Sequence, residues 1–94
     1  MKHEITLTGY LVNPTGSIQV DYLWNTTPSV RVYVNETELQ SANADILQQE
    51  LEALRWLMYY LFALGNTPET MASQVGKKLI VDIAPAVQQS VSLV

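Results

Sequence analysis

Few residues of this chain have side chains that could do chemistry, and none has a suitable partner at a useful spacing. The single histidine, His3, has no second histidine with which to share a metal ion, and we expect it to be an exposed polar residue at the start of the chain. Glu50 and Glu52 lie two residues apart and so point to different faces of a helix, which leaves no paired carboxylates for acid–base catalysis. The serines lack the histidine partner that a catalytic triad requires. We therefore predict a non-enzymatic protein with no metal ion or other cofactor.

Phosphate and nucleic-acid binding are also poorly supported. The four glycines are isolated, and Gly76-Lys77-Lys78 follows a predicted helix and precedes a predicted strand, the reverse of the order in a nucleotide-binding loop. The net charge of -4 and the pI of about 4.6 argue against non-specific affinity for nucleic acid or anionic lipid. Nucleic-acid regulation stays open only as an alternative that would use Arg31, Lys77 and Lys78.

The length and composition predict one small cytoplasmic domain. A chain of 94 residues is the size of a single domain, so we assign residues 1–94 to one unit. The absence of cysteine excludes disulfides, thiol nucleophiles and cysteine-bearing zinc sites. The N-terminus lacks the continuous apolar run of a secretory signal, and the longest apolar run, Trp56 to Leu64, is about half the ~20 residues that span a membrane.

The first third of the chain alternates between polar and apolar residues, which is typical of β-strands. Strands are predicted over His3–Val12, Ile18–Trp24 and around Val30–Val34, separated by the turns Asn13–Gly16 and Asn25–Pro28. Short connections of this kind indicate an antiparallel meander. Gly9, in the middle of the first strand, indicates a bulge or a close neighbour.

The alternation also predicts which strand residues face the core. We expect one apolar face that needs a covering layer, formed by Ile5, Leu7, Leu11, Ile18, Val20, Tyr22, Trp24, Val30, Val32 and Val34. The outward positions are expected to be largely polar, and they include Arg31. Four of the outward residues form a partly apolar patch: Tyr10, Val12, Leu23 and Tyr33.

A long helix over Asp45–Leu64 is the predicted cover, with its start placed near residue 42 and its end at Gly65-Asn66. The stripe expected to face the sheet comprises Leu47, Leu51, Leu54, Met58 and Leu61. The opposite side is polar at first and then becomes aromatic. From Trp56 onward the helix is apolar all round and therefore needs cover on every side.

The remainder of the chain predicts a short helix from Thr67 to about Val75 and a fourth strand over Leu79–Ile83. A further helix is possible over Pro85–Leu93. The whole is an α+β fold: a three-stranded antiparallel meander covered by one long helix, then a short helix and a C-terminal strand.

The aromatic side of the long helix is the candidate site. Either the C-terminal segment of the same chain folds over it, or another subunit or protein does. The second reading is favoured because so few residues remain to wrap it, and aromatic residues suit the apolar centre of an interface. The predicted partner-binding residues are Trp56, Tyr59, Tyr60 and Ala63.

The favoured function is a small protein–protein interaction module that self-associates as a homo-oligomer. Compact, mildly acidic, cysteine-free chains are frequent among phage and mobile-element proteins, where they serve as viral assembly parts or as inhibitors of host proteins. One alternative is a small-molecule-binding module with a pocket between sheet and helix, lined by Tyr22, Trp24 and Tyr60.

Overall fold

A computed structural model describes residues 2–83, except for the side chain of Glu36. Three strands come first, β1 (Lys2–Val12), β2 (Ile18–Trp24) and β3 (Thr27–Tyr33). A 3-10 helix (Glu36–Glu38) leads into the short helix α1 (Leu39–Ala42), followed by the long helix α2 (Gln48–Ala63), a second 3-10 helix (Met71–Gln74) and the strand β4 (Lys78–Asp82). The four strands form one antiparallel sheet in the order β3-β2-β1-β4. This confirms the predicted α+β fold.

The helix α2 covers one face of this sheet, and no helix within residues 2–83 covers the other face, here named the open face. The buried side of α2 consists of Glu50, Leu51, Ala53, Leu54, Leu57, Met58 and Leu61. These residues pack with the inward side chains of the strands in a single core. The prediction that Leu47 belongs to the buried stripe is wrong: Leu47 lies just before the first turn of α2 and is exposed.

A β-bulge in β1 changes which residues of that strand face the core. The pairing with β2 runs from Leu7 opposite Tyr22 to Gly9 opposite Asp21, so Thr8 is an extra residue in β1. Side chains alternate between faces, and one extra residue therefore reverses every position that follows. Tyr10 is consequently buried and Leu11 is exposed, which corrects the predicted orientation of both.

The hairpin between β2 and β3 likewise reverses the predicted faces of β3. Its loop contains only Asn25 and Thr26, with Asn25 in the left-handed conformation (φ 58°), and Trp24 pairs directly with Thr27. Residues paired across antiparallel strands share a face. Arg31 pairs with the core residue Val20 and Tyr33 pairs with Ile18, so both Arg31 and Tyr33 lie on the core face. The alternate valines of the third strand region, which we predicted to be buried, are exposed: Val30, Val32 and Val34.

The open face is therefore more apolar than predicted, but it is formed by other residues. Tyr10 and Tyr33 of the predicted patch are buried, and Val12 shares the face of Tyr10. The apolar residues that do lie on the open face are Leu11, Leu23, Val30, Val32 and Ile80.

The connections differ from their predictions in detail. The chain enters α2 at Gln48 rather than near residue 42, because the turn at 43–45 separates it from α1. Asn35 caps the first 3-10 helix, its side-chain oxygen accepting a hydrogen bond from the backbone N–H of Glu38 (3.2 Å).

The predicted end of α2 is confirmed, with Gly65 at φ 95°. The predicted helix from Thr67 to Val75 is only a turn followed by the 3-10 helix Met71–Gln74, and the possible helix Pro85–Leu93 lies outside the described residues.

Candidate functional site

The four predicted partner-binding residues lie together on the outer side of α2, away from the sheet. Trp56, Tyr59 and Tyr60 are 49%, 69% and 42% exposed, and Ala63 is exposed as well. Trp56 and Tyr59 contact each other edge to face, with 6.1 Å between their ring centroids. We name this group of four residues the aromatic surface. Single exposed apolar residues are common, but three large aromatic side chains on two turns of one helix form a contiguous patch.

A cleft of about 560 Å³ opens along one side of the aromatic surface. It is lined by Thr37 from the first 3-10 helix and by Glu52, Arg55, Trp56 and Tyr59 from α2. The first 3-10 helix therefore forms one wall of the cleft, while the outer side of α2 forms its floor. The cleft presents two aromatic rings, one acid and one base, a combination that accepts an amphipathic side chain or a small planar molecule.

A second cluster of functional groups lies under the N-terminal half of α2, where it is largely buried. Glu50 is 4% exposed, yet it lies against Tyr22, whose hydroxyl donates a hydrogen bond to it, and against Arg31, whose guanidinium lies 3.2 Å from its Oε2. Arg31 also donates from Nε to the Tyr22 hydroxyl (3.3 Å) and from Nη1 to Asp45 (2.8 Å). The sheet and α2 are thus joined by a buried ion pair with a tyrosine between its members. We name Tyr22, Arg31, Asp45 and Glu50 the ionic cluster.

The ionic cluster shifts the pKa values of three of its members, Tyr22, Arg31 and Asp45. Burial, followed by the hydrogen bond to Glu50, raises the pKa of the Tyr22 hydroxyl well above its ordinary value of 10.0. The hydrogen bond from Arg31 holds the pKa of the exposed Asp45 carboxyl below its ordinary range. Strongly perturbed groups can mark an active site, but these groups surround one another rather than an open space. We assign them to the attachment of α2 to the sheet.

The position of Glu50 in the sequence indicates this cluster. Glu50 precedes Leu54 by four residues and Leu57 by seven, so it lies on the buried stripe of α2. A carboxylate at such a position must have a cationic or hydrogen-bonding partner. The reversed face of β3 supplies Arg31, which we had predicted to point outward.

The residues of the two alternative functions do not converge. Arg31 lies on the core face at the β3 edge of the sheet, whereas Lys77 and Lys78 lie at the β4 end, where Lys78 pairs with Glu4 (3.4 Å). The predicted ligand pocket between sheet and helix would contain Tyr22, but that side chain is fully buried in the core while Tyr60 is exposed on the outer side of α2. The cleft described above lies on the opposite side of the helix from that predicted pocket.

His3 differs from its prediction as an exposed residue, because β1 begins at Lys2 and places His3 on the core face. Its ring stacks on Trp24 with 5.6 Å between centroids, and its Nδ1 lies 3.4 Å from the side-chain nitrogen of Asn25. The Nε2 atom of His3 and the Nε1 atom of Trp24 are buried, and neither has a hydrogen-bond partner within residues 2–83. No group of three or more His, Cys, Asp or Glu side chains in this part of the chain could hold a metal ion.

Two further findings bear on the class of protein. Within residues 2–83, no helix combines the length and the apolar character needed to cross a lipid bilayer. The chain matches no protein-family model, no curated protein and no solved structure. A function can therefore be inferred only from the fold, the aromatic surface and the ionic cluster.

Proposed function

We propose that this protein is a small, non-enzymatic cytoplasmic module that self-associates through the aromatic surface of α2. The observation that carries the proposal is the exposure of Trp56, Tyr59 and Tyr60 on one side of a single helix. Tryptophan and tyrosine are the residue types enriched at the energetic centres of interfaces. The opposite side of α2 is fixed to the sheet by the core and by the ionic cluster, so the aromatic side chains project from a rigid support.

The same surface would serve the assembly or inhibitory roles that the composition suggests. A virion assembly part of a phage or mobile element needs a surface that binds further copies, and an inhibitor of a host protein needs one that binds a foreign partner. Both roles require apolar side chains that are presented outward before the partner arrives. The aromatic surface supplies these.

Light scattering with mass determination tests self-association directly. We expect the wild-type mass to rise above 10.5 kDa with increasing concentration, and the double variant Trp56→Ala/Tyr60→Ala to remain a folded monomer. The matched control is Val30→Ala/Ile80→Ala, which removes two comparably exposed apolar side chains from the open face and should leave the oligomeric mass unchanged. A wild-type protein that stays monomeric from micromolar to millimolar concentration would contradict the proposal.

The cleft favours a second candidate function, the binding of a small molecule. Its volume of about 560 Å³ lies within the usual range for ligand pockets, roughly 300–1,000 Å³. A planar ligand would stack on Trp56 and pair with Arg55 or Glu52. Native mass spectrometry of gently purified protein tests this candidate: a retained molecule that Trp56→Ala loses and Val30→Ala keeps would support it, and bare protein would count against it.

A further inference from the structure

We propose that a second copy of this chain pairs with the outer edge of β4, so that two antiparallel β4 strands join two sheets into one. The two-fold axis passes between the Ile80 residues of the two copies. This contact, here named the β4 contact, uses neither the aromatic surface nor α2, and it is therefore independent of the function proposed above. The backbone groups of this edge and the charges of its side chains carry the proposal.

The outer edge of β4 presents backbone donors and acceptors to a further strand. The carbonyl of Glu4 in β1 accepts a hydrogen bond from the backbone N–H of Asn25, so Glu4 points its backbone groups toward β2. Successive residues of a strand point these groups to alternate sides, so the two neighbours of Glu4 point toward β4 and bond to the residues paired with them there, Leu79 and Val81. The remaining residues of β4 point their backbone groups away from β1: Lys78, Ile80 and Asp82. Within residues 2–83 no strand pairs with that side of β4.

The opposite edge of the sheet, at β3, is protected against such pairing. Val32 points its carbonyl outward, but that carbonyl already accepts a hydrogen bond from the side chain of Asn43 (3.0 Å). Pro28, four residues before Val32, points the same way and has no N–H to donate. By contrast, β4 contains no proline, and its pairing with β1 is continuous. The β4 edge is therefore the side of the sheet to which a strand can be added.

The side chains of β4 are complementary to a second copy of the same strand. Lys78, Ile80 and Asp82 are exposed on the open face. An antiparallel pair centred on Ile80 places Lys78 of each copy opposite Asp82 of the other, and opposite charges across a strand pair are stabilising. Because Lys78 also lies 3.4 Å from Glu4 of its own chain, the charges alternate in sign from Glu4 to Lys78 to Asp82 of the other copy.

The backbone favours the same register as the charges. In this register every outward-pointing residue of one β4 strand faces an outward-pointing residue of the other, and each such pair exchanges both of its hydrogen bonds. A shift of two residues in either direction leaves one end of each strand without a partner and places a charged side chain opposite Ile80. A shift of four residues opposes Lys78 to Lys78 or Asp82 to Asp82, and like charges directly opposite each other are destabilising.

The β4 contact is small, because it comprises only the five residues of one strand from each copy. A stable interface of standard size buries about 800 Å² per partner. We therefore expect the β4 contact to be too weak to add to the mass of free chains at millimolar concentration or below. It would join copies that are already held close together, where their effective concentration is high.

Disulfide trapping detects weak contacts, and the natural chain contains no cysteine that would interfere. In the proposed pair the Cα atoms of the two residues 80 lie ~5.5 Å apart, a separation that a disulfide can bridge. The variant Ile80→Cys, in the Trp56→Ala/Tyr60→Ala background, should therefore form disulfide dimers on mild oxidation. The matched control is Val30→Cys in the same background, because Val30 lies on the open face of the other edge strand and is 59% exposed, against 58% for Ile80. We expect Ile80→Cys to cross-link at several times the rate of this control, and equal rates would overturn the inference.

Charge reversals in the Ile80→Cys chain test the register. Lys78→Glu opposes two acids at each end of the β4 contact and should slow the cross-linking, whereas Lys77→Glu makes the same change in net charge just before the strand and should not. An equimolar mixture of Lys78→Glu and Asp82→Lys chains should yield mainly mixed dimers, identified by their mass, because opposite charges then face each other at both ends of the contact. Net charge alone would instead favour dimers of the less acidic Asp82→Lys chain.

The absence of a preference for mixed dimers would overturn the inference, even where Ile80→Cys cross-links readily. The background variant lacks two of the three aromatic side chains of the aromatic surface, so none of these results depends on that surface. A wild-type chain that stays monomeric in light scattering would overturn the function proposed above without affecting the trapping result. The two proposals therefore fail separately.

Discussion

Glu50 is a charged residue at a position of α2 that is buried in the core. A buried carboxylate is costly unless a cation and hydrogen-bond donors compensate it. Arg31 provides the charge and Tyr22 a hydroxyl donor, while the exposed Asp45 holds the far side of the guanidinium. The cluster thereby links β2, β3, the turn before α2 and α2 itself.

Removing the cation of this cluster should destabilise the protein strongly. In Arg31→Met, the Glu50 charge stays buried without its partner, and we expect a loss of roughly 3 kcal/mol in the free energy of unfolding. In Arg31→Met/Glu50→Gln, the negative charge of residue 50 is removed as well, and its amide oxygen still accepts the hydrogen bond from Tyr22. The double variant should therefore be ~1–2 kcal/mol more stable than Arg31→Met. Urea denaturation measures both. Arg55→Met, an exposed arginine on α2, is the control and should stay within about 0.5 kcal/mol of wild type.

The single variant Glu50→Gln completes the cycle, and losses of the two single variants that add up to the loss of the double variant would contradict this account. Additivity would mean that Arg31 and Glu50 do not interact, despite the 3.2 Å between their charged groups.

The raised pKa of Tyr22 predicts a loss of stability at alkaline pH. Below pH ~10 the phenol is neutral in both folded and unfolded chains, so its contribution is fully present. As the pH rises further, the unfolded chain releases this proton while the folded chain retains it, and unfolding is favoured. We expect the free energy of unfolding of wild type to fall more steeply above pH 10 than that of Tyr22→Phe, by at most ~1.4 kcal/mol per pH unit. Equal slopes in urea titrations at pH 9, 10 and 11 would refute it.

Among the elements, β1 owes the orientation of its second half to the bulge at Gly9. The neighbouring strand comes close there: a Cβ atom on residue 9 would lie 2.7 Å from Oδ2 of Asp21 and 3.2 Å from its Cβ. Asp21 is itself held by a hydrogen bond from the Gln19 amide (3.2 Å). A side chain at residue 9 would therefore force the Asp21 side chain to move.

The substitution Gly9→Ala should accordingly cost about 1–2 kcal/mol in wild type, because Asp21 must move. In an Asp21→Ala background the carboxylate is absent and only the 3.2 Å contact with the Cβ of residue 21 remains, so the same substitution should cost clearly less, because alanine is otherwise favoured over glycine within a strand. Thermal or urea unfolding of the four proteins provides the measurement. The same cost in both backgrounds would show that the backbone, and not Asp21, demands glycine.

For the whole molecule, reversible dimerisation would couple folding to concentration. A dimer that only folded chains can form raises the apparent melting temperature as protein concentration rises. We expect an increase of several degrees between about 10 µM and about 1 mM for wild type, since each kcal/mol shifts the melting temperature of a domain this size by roughly 4–8 °C. Trp56→Ala/Tyr60→Ala should melt at one temperature over the same range, while Val30→Ala/Ile80→Ala should keep the wild-type dependence. A wild-type melting temperature independent of concentration would exclude a dimer of this strength.

The sequence by itself determined the four strands, the long helix and their order. The alternation in β1 and β2, the apolar stripe of α2 and the glycine at its end are local patterns, and local backbone preferences are enough to read them. The position of the aromatic surface on the outer side of α2 also followed from the sequence, because the residues around one helix are fixed by its 3.6-residue period. Trp56, Tyr59, Tyr60 and Ala63 lie where that period places them.

Only the tertiary structure decided which face of each strand is buried and which partners the buried charge has. One extra residue at the bulge turned Tyr10 inward, and a two-residue hairpin loop turned Arg31 and Tyr33 inward in place of the valines. A strand has a period of two, so a shift of a single residue reverses its faces, and the register that sets this shift depends on pairing with another part of the chain. Arg31 and Glu50 are nineteen residues apart in the sequence, and only that pairing brings them together.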